Sequence, residues 1–198
     1  MPQGYNELTR DLIKSGVGKY YHGATLAGIS SESVRTDIEK FILHIGENLD
    51  AGHGILIAGT KGSGKTCIMA IIAKATLCHW NETRVIWDKK LKFEMAYDIM
   101  RYGSRNDEYY SQIRTKDVLI VDDLGAEYSH DFPLSTFTAI MEYRQANLLS
   151  TFITTNMSLD RLANIQTDEY KKYSRIIDRM SDSSRFDIFE LDEKSRRK

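Results

Sequence analysis

The stretch GTKGSGKT, residues 59–66, places three glycines, two lysines and a terminal hydroxyl in eight positions. It follows GILIA (54–58), a short apolar run that reads as a buried strand. It precedes CIMAIIAKATLCHW (67–80), which has helical length and an apolar face. A glycine-rich turn between strand and helix, in the pattern G-x-x-x-x-G-K-[ST], is a phosphate-binding loop. Gly59, Gly62 and Gly64 allow backbone conformations closed to other residues and bring N–H groups close to an anion. The helix N-terminus adds unpaired donors and a positive dipole end. The expected nucleotide-binding set is therefore Gly59, Thr60, Lys61, Gly62, Ser63, Gly64, Lys65, Thr66 and Cys67. Lys65 is expected on the β- and γ-phosphates and the Thr66 hydroxyl on Mg²⁺. These eight residues do not choose between adenine and guanine.

The chain has 198 residues, 41% of them hydrophobic, with only two prolines. That suffices for one α/β domain with a real core and is not a disordered composition. The apolar stretches are strand-sized, so no membrane span is expected, and the polar start MPQGYNELTRDLIK is no secretory signal. Cys67 and Cys78 share one predicted helix and lack metal-ligand spacing. They read as thiols of a reducing cytosol rather than a disulfide. With a formal net charge of −1, nucleic-acid contacts would have to come from local patches.

Along the chain, residues 1–30 form a lead-in with one short helix, and 31–198 form the main domain. Segment 30–50 reads as one capped helix with Ile38, Ile42 and Ile45 at helical spacing. RVIWD (84–88) reads as the second strand, 91–103 as a helix closed by Gly103, and 104–116 as polar and exposed. DVLIVDDL (117–124) is the third strand. Asp131 and Pro133 open a helix running to about residue 149. TFITTN (151–156) is the fourth strand, 158–180 is helical in tone, and FDIFEL (186–191) is the last strand. Alternating strands and helices predict a parallel sheet covered on both faces. With seven residues after the last strand, no C-terminal helical lid is expected.

Four apolar residues followed by two acids, VLIVDD, form a Walker B pattern that carries Asp122 to a strand tip. Asp122 is expected to hold Mg²⁺ beside Thr66. Asp123, on the other face of the strand end, is the candidate general base, with Glu127 in reserve. Thr154, Thr155 and Asn156 give the fourth strand a polar tip suited to the γ-phosphate or the attacking water. Asn156 can both donate and accept. Arg175 and Arg179 stand four apart on one helical face, and arginine neutralises transferring phosphoryl charge.

GTKGSGKT, VLIVDDLGAEYS, FITTNMS and YSRIIDRM, in this order and spacing, resemble the DnaC/DnaI-type bacterial helicase loaders and the related IstB transposition helpers, which are AAA+ ATPases. SGVGKYYHGATL (15–26) is similar to the family's lead-in, so the resemblance runs from about residue 15 to the end. The resemblance implies a P-loop AAA+ three-layer sandwich with a five-stranded parallel sheet in the order 5-1-4-3-2. It implies ATP and Mg²⁺ as cofactors, Arg175 as an arginine finger acting on a neighbouring subunit's site, and Arg196 as a nucleotide sensor in cis. It also implies a function: loading a DnaB-type replicative helicase onto single-stranded DNA, with slow, assembly- or DNA-dependent hydrolysis. Lys92, Phe93, Tyr128 and Phe132 are its implied DNA contacts. Cellular loaders carry a helicase-binding domain ahead of the ATPase, whereas here the lead-in supplies at most one partner-binding helix. A phage- or mobile-element-encoded bacterial protein of the cytoplasm fits that economy. Two other readings stay open: an IstB-like helper on duplex DNA, and a nucleotide-gated replication adaptor that barely hydrolyses.

Overall fold

The computed structural model describes residues 3–83, 89–125, 134–159, 173–180, 182 and 184–191. Five strands form one parallel sheet: β1 (Gly54–Gly59), β2 (Leu91–Met95), β3 (Val118–Leu124), β4 (Ser150–Thr155) and β5 (Phe186–Leu191). Their spatial order is β2-β3-β4-β1-β5, the expected 5-1-4-3-2 read from the other edge. β1 and β4 are buried at every position, as befits central strands covered on both faces.

Around the sheet pack α1 (Gln3–Lys14), α2 (Glu32–Leu43), α3 (Ile45–Asp50), α4 (Lys65–Thr83), α5 (Ala96–Gly103), α6 (Asp107–Arg114), α7 (Leu134–Ala146) and α8 (Ser174–Met180). One core face joins α1, α2 and α4 to the sheet through Leu12, Ile38, Ile72, Ile55 and Phe152. The other joins α5 to α8 through Ile99, Ile113, Phe137, Ile176 and Leu56. The lead-in belongs to the first face: Leu12, Val17 and Ile29 are buried there, and Phe93 N donates to Ser15 O at 2.7 Å along the β2 edge.

Three expectations need correction, and two others fall wholly or partly outside the described residues. The helix foreseen over 30–50 is two helices, broken at His44, whose ψ of 27° leaves the helical range. Its cap is Ser31, whose Oγ accepts from Val34 N at 3.4 Å. The helix foreseen over 91–103 begins as strand β2; LKFEM alternates in burial and only AYDIMRYG is helical. The strand foreseen at 84–88 lies outside the described residues. The polar stretch 104–116 contains α6, capped by Asn106, whose Oδ1 accepts from Tyr109 N at 2.9 Å. Finally, α7 is described from Leu134 to Ala146, and Asp131 and Pro133 lie outside the described residues.

β3 is irregular at its acidic tip. Val121 pairs with Ile153 and Leu124 with Thr155, so Asp122 and Asp123 together face Thr154 alone. This is a β-bulge, and Asp123 sits in it at φ 62°.

The phosphate-loop cleft and its acids

The loop from Gly59 to Lys65 joins β1 to α4, as strand–turn–helix. Gly59 has φ 146°, and a Cβ there would meet Leu191 O at 2.6 Å, so no other residue fits. Gly64 has open space around it but φ 104°, a purely conformational need.

Lys65 is buried, and its Nζ donates to Gly59 O at 2.8 Å, Thr60 O at 2.9 Å and Asn156 Oδ1 at 2.8 Å. An ammonium has three protons, so an incoming phosphate must replace at least one of these acceptors. Asn156 in turn donates from Nδ2 to Asp123 Oδ1 and thereby bridges the lysine to the second acid. Thr66 Oγ1 lies 3.2 and 3.1 Å from Asp122 Oδ1 and Oδ2. Thr154 Oγ1 donates to Asp122 Oδ1 at 2.5 Å and accepts from Asp123 N at 2.8 Å. Burial pushes the Asp122 carboxyl above the usual carboxylate range; the hydroxyls of Thr154 and Thr66 hold it down, Asp123 adds upward and Lys65 downward.

These groups line one cleft of about 590 Å³, a volume typical of small-ligand sites. Its phosphate end includes Lys61, Ser63, Thr66, Cys67, Asp123 and Asn156. Its other end is built by Tyr20, Tyr21, Thr25 and Ile29 of the lead-in, with Leu191 of β5. The composition of 15–26 gives no sign of this wall. It is fastened by Lys74 of α4, whose Nζ donates to His22 O and Ala24 O.

The donor set suits Mg²⁺ on a nucleotide. A hydroxyl and a carboxylate stand side by side, and hard cations take oxygen. Among the described residues there is no cluster of three acidic, histidine or cysteine side chains, and a metal held by Thr66 and Asp122 would take its other oxygens from nucleotide or water. Ser63 Oγ is buried in the loop with no hydrogen-bond partner among the described residues, an acceptor-seeking hydroxyl where an anion would lie.

The remaining predicted residues separate. Arg175 is exposed on α8 and has no partner among the described residues. Arg179 is committed to α7, with Nη2 at 2.7 Å from Glu142 Oε1 and Nη1 at 3.2 Å from Gln145 Oε1. Neither lines the cleft. Phe93, 8% exposed, packs in the core cluster and leaves little open ring face for a base. Lys92 pairs with Glu94 at 3.0 Å. Glu127, Tyr128, Phe132 and Arg196 lie outside the described residues.

Loop, acid pair and polar strand tip, on a sheet in this order, make a P-loop α/β fold with its phosphate-binding loop at the strand tips. Residues 55–157, just over half of the chain, match the sequence model of a family described as RNA helicase, and the chain belongs to that family. The matched segment runs from β1 past Asn156, which is the nucleotide machinery itself. Among curated proteins, none matches the sequence. Among solved structures, DnaI is similar at 22% identity over 91% of this chain and 94% of that one, with a TM-score of 0.69. The DnaC helicase loader is similar at 22% identity over 88% and 99%, with a TM-score of 0.65. DnaA bound to AMPPCP and single-stranded DNA is similar at 12% identity over 90% and 51%, with a TM-score of 0.61. At these identities the likeness is one of fold. No helix among the described residues is long and apolar enough to cross a membrane.

Proposed function

We propose that this chain is an ATP-dependent loader that binds a DnaB-type replicative helicase and places it on single-stranded DNA. The observation that carries the reading is that the assembled phosphate-loop site sits on a fold shared with DnaI and DnaC over nearly their whole solved length. In this reading Lys65 leaves Asn156 for the phosphates when ATP enters, and Thr66 with Asp122 holds Mg²⁺. The metal, when bound, supplies charge neutralisation on the phosphates. Asp123 accepts the proton of the attacking water and Asn156 orients it. Asp carries one methylene fewer than Glu, which suits slow turnover. Arg175, exposed and without a partner among the described residues, serves the site of the next subunit, whereas Arg179 is tied to its own α7. The lead-in wall of the cleft receives the base.

DNA contact is assigned to α5 in place of Phe93. There Arg101 stacks against the rings of Tyr97 at 5.8 Å and Tyr102 at 5.4 Å, a cation among aromatic faces of the kind that tracks single strands. Helicase contact is assigned to α1, which seats Leu12 on the core and exposes Ile13.

The test is capture of a DnaB-type helicase by this protein with and without ATP, with Ile13→Asp as the control. That substitution spares Leu12, which a deletion of the N-terminus would remove from the core. Nucleotide-sensitive capture that Ile13→Asp abolishes supports the reading. No capture under any nucleotide, or RNA unwinding by the chain alone, overturns it.

A further inference from the structure

Thr154 lies on β4 opposite the β3 bulge, 1% exposed, with the Asp122 carboxylate and the Asp123 backbone amide against its hydroxyl. A bulge leaves one ladder N–H without its normal acceptor, and a buried orphan donor is costly. Here that donor is Asp123 N, and Thr154 Oγ1 accepts from it at 2.8 Å. Because the amide can only donate, the threonine proton is directed elsewhere, and the 2.5 Å contact to Asp122 Oδ1 receives it. The polarity of both bonds is thus forced by the chemistry of the groups. One hydroxyl fixes the carboxylate of Asp122 and the backbone of Asp123 together.

The backbone it fixes is unusual. Asp123 has φ 62°, a region that a non-glycine residue keeps only where its surroundings over-determine it. Thr155 completes the grip: its Oγ1 donates to Leu124 O at 2.7 Å and accepts from Met157 N at 3.1 Å. Consecutive threonines of β4 therefore substitute for the ladder bonds that the bulge interrupts. The result at the cleft is an Asp122 carboxylate turned to Thr66 and an Asp123 carboxylate turned to Asn156.

We propose that Thr154 is a positioning residue for metal binding and water activation, acting through Asp122 and Asp123 and touching neither phosphate nor water. This differs from the sequence reading, in which the polar strand tip met the γ-phosphate directly. The proposal rests on the ATPase reading above for its consequence, and on the hydrogen bonds alone for its structural half.

The experiment compares wild type, Thr154→Val and Thr154→Ser. Valine keeps the branched shape and loses the hydroxyl; serine keeps the hydroxyl. Three quantities are read: hydrogen exchange at the Asp123 amide, the Mg²⁺ dependence of binding to a fluorescent ATP analogue, and steady-state ATP hydrolysis. In Thr154→Val the Asp123 amide loses about tenfold or more of its protection, as expected when a buried bond to a charged network is removed. The Mg²⁺ concentration for half-maximal binding rises by about tenfold on the same basis, while metal-free nucleotide affinity stays within about twofold. The value of kcat falls and KM holds. Thr154→Ser restores all three to within about threefold of wild type. If Thr154→Val does not fold, Thr154→Ala is read in the same way. Unchanged Asp123 protection and Mg²⁺ dependence in the valine or alanine variant overturn the proposal, and so does a serine variant as impaired as valine. Wild-type protein that ignores Mg²⁺–ATP overturns the ATPase reading instead, and the exchange measurement still decides whether Thr154 holds the bulge.

Discussion

Arg144 of α7 is wholly buried, no carboxylate among the described residues is in ion-pair contact with it, and Arg144→Met should cost the fold about 3–5 kcal/mol through the buried acceptors it leaves unmet. The guanidinium donates to Lys116 O at 2.6 Å, Ser150 O at 2.6 Å and Thr151 Oγ1 at 2.8 Å. Longer contacts reach Arg114 O at 3.3 Å and Ile113 O at 3.5 Å. It thereby ties the end of α6, the approach to β3 and the start of β4 to one point. Burial lowers its pKa to about 9 while the Asp117 carboxylate pulls it up, so the cation stays protonated at neutral pH. Each of the three short bonds is charge-assisted and worth roughly 1.5–3 kcal/mol. Against that stands the desolvation of a buried cation, several kcal/mol, which the substitution relieves. The acceptors cannot follow it into water, because methionine fills the same space and offers no donor. The unmet acceptors outweigh the relieved desolvation. Urea unfolding measures the difference: with an m-value near 2 kcal/mol/M, the midpoint should fall by about 2 M at unchanged m. Nucleotide affinity of the folded fraction should not change, since the arginine lies at the opposite strand ends from the cleft. A loss under about 1 kcal/mol would refute the reasoning, because it would mean that desolvation cancels the hydrogen bonds.

Three further outcomes follow from the cleft. Lys65→Ala should weaken ATP binding by at least about a hundredfold, since it removes the ammonium that faces the phosphates, and isothermal titration calorimetry checks it. Asp122→Asn should stabilise the nucleotide-free protein at neutral pH and abolish Mg²⁺-dependent stabilisation, both visible in thermal melts. The sign follows from its raised folded pKa: the native state holds this proton more tightly than the unfolded chain, so stability falls as pH rises from the unfolded value through the folded one, and the amide removes that slope. Arg175→Ala should leave ATP binding intact and remove assembly-dependent hydrolysis, and mixing it with Lys65→Ala protein should restore activity only if Arg175 acts on a neighbour's site.

The strand–loop–helix and the acidic strand tip were legible because their physics is local. A buried run, a glycine turn and a helix start are adjacent in sequence, and VLIVDD carries its acids to a strand tip in one segment. β2 was hidden by its junction: LKFEM alternates at period two, but it fuses directly to AYDIMRYG, whose helical period absorbs it. α6 carried a readable signal in Asn106 followed by Asp107 and Glu108, with Arg114 at its end, yet its polarity masked it. The bulge at Asp122–Asp123, the burial of Arg144 and the cleft wall built by Tyr20, Tyr21 and Ile29 depend on partners far away in the chain. No periodicity encodes such contacts, and only the assembled sheet reveals them.

The most direct measurement is helicase loading onto closed circular single-stranded DNA, followed by recovery of ring-bound helicase after a salt wash. The account predicts recovery that needs both this protein and ATP, and that is lost with Lys65→Ala. Equal recovery without the protein, or with the Lys65→Ala chain, would contradict it.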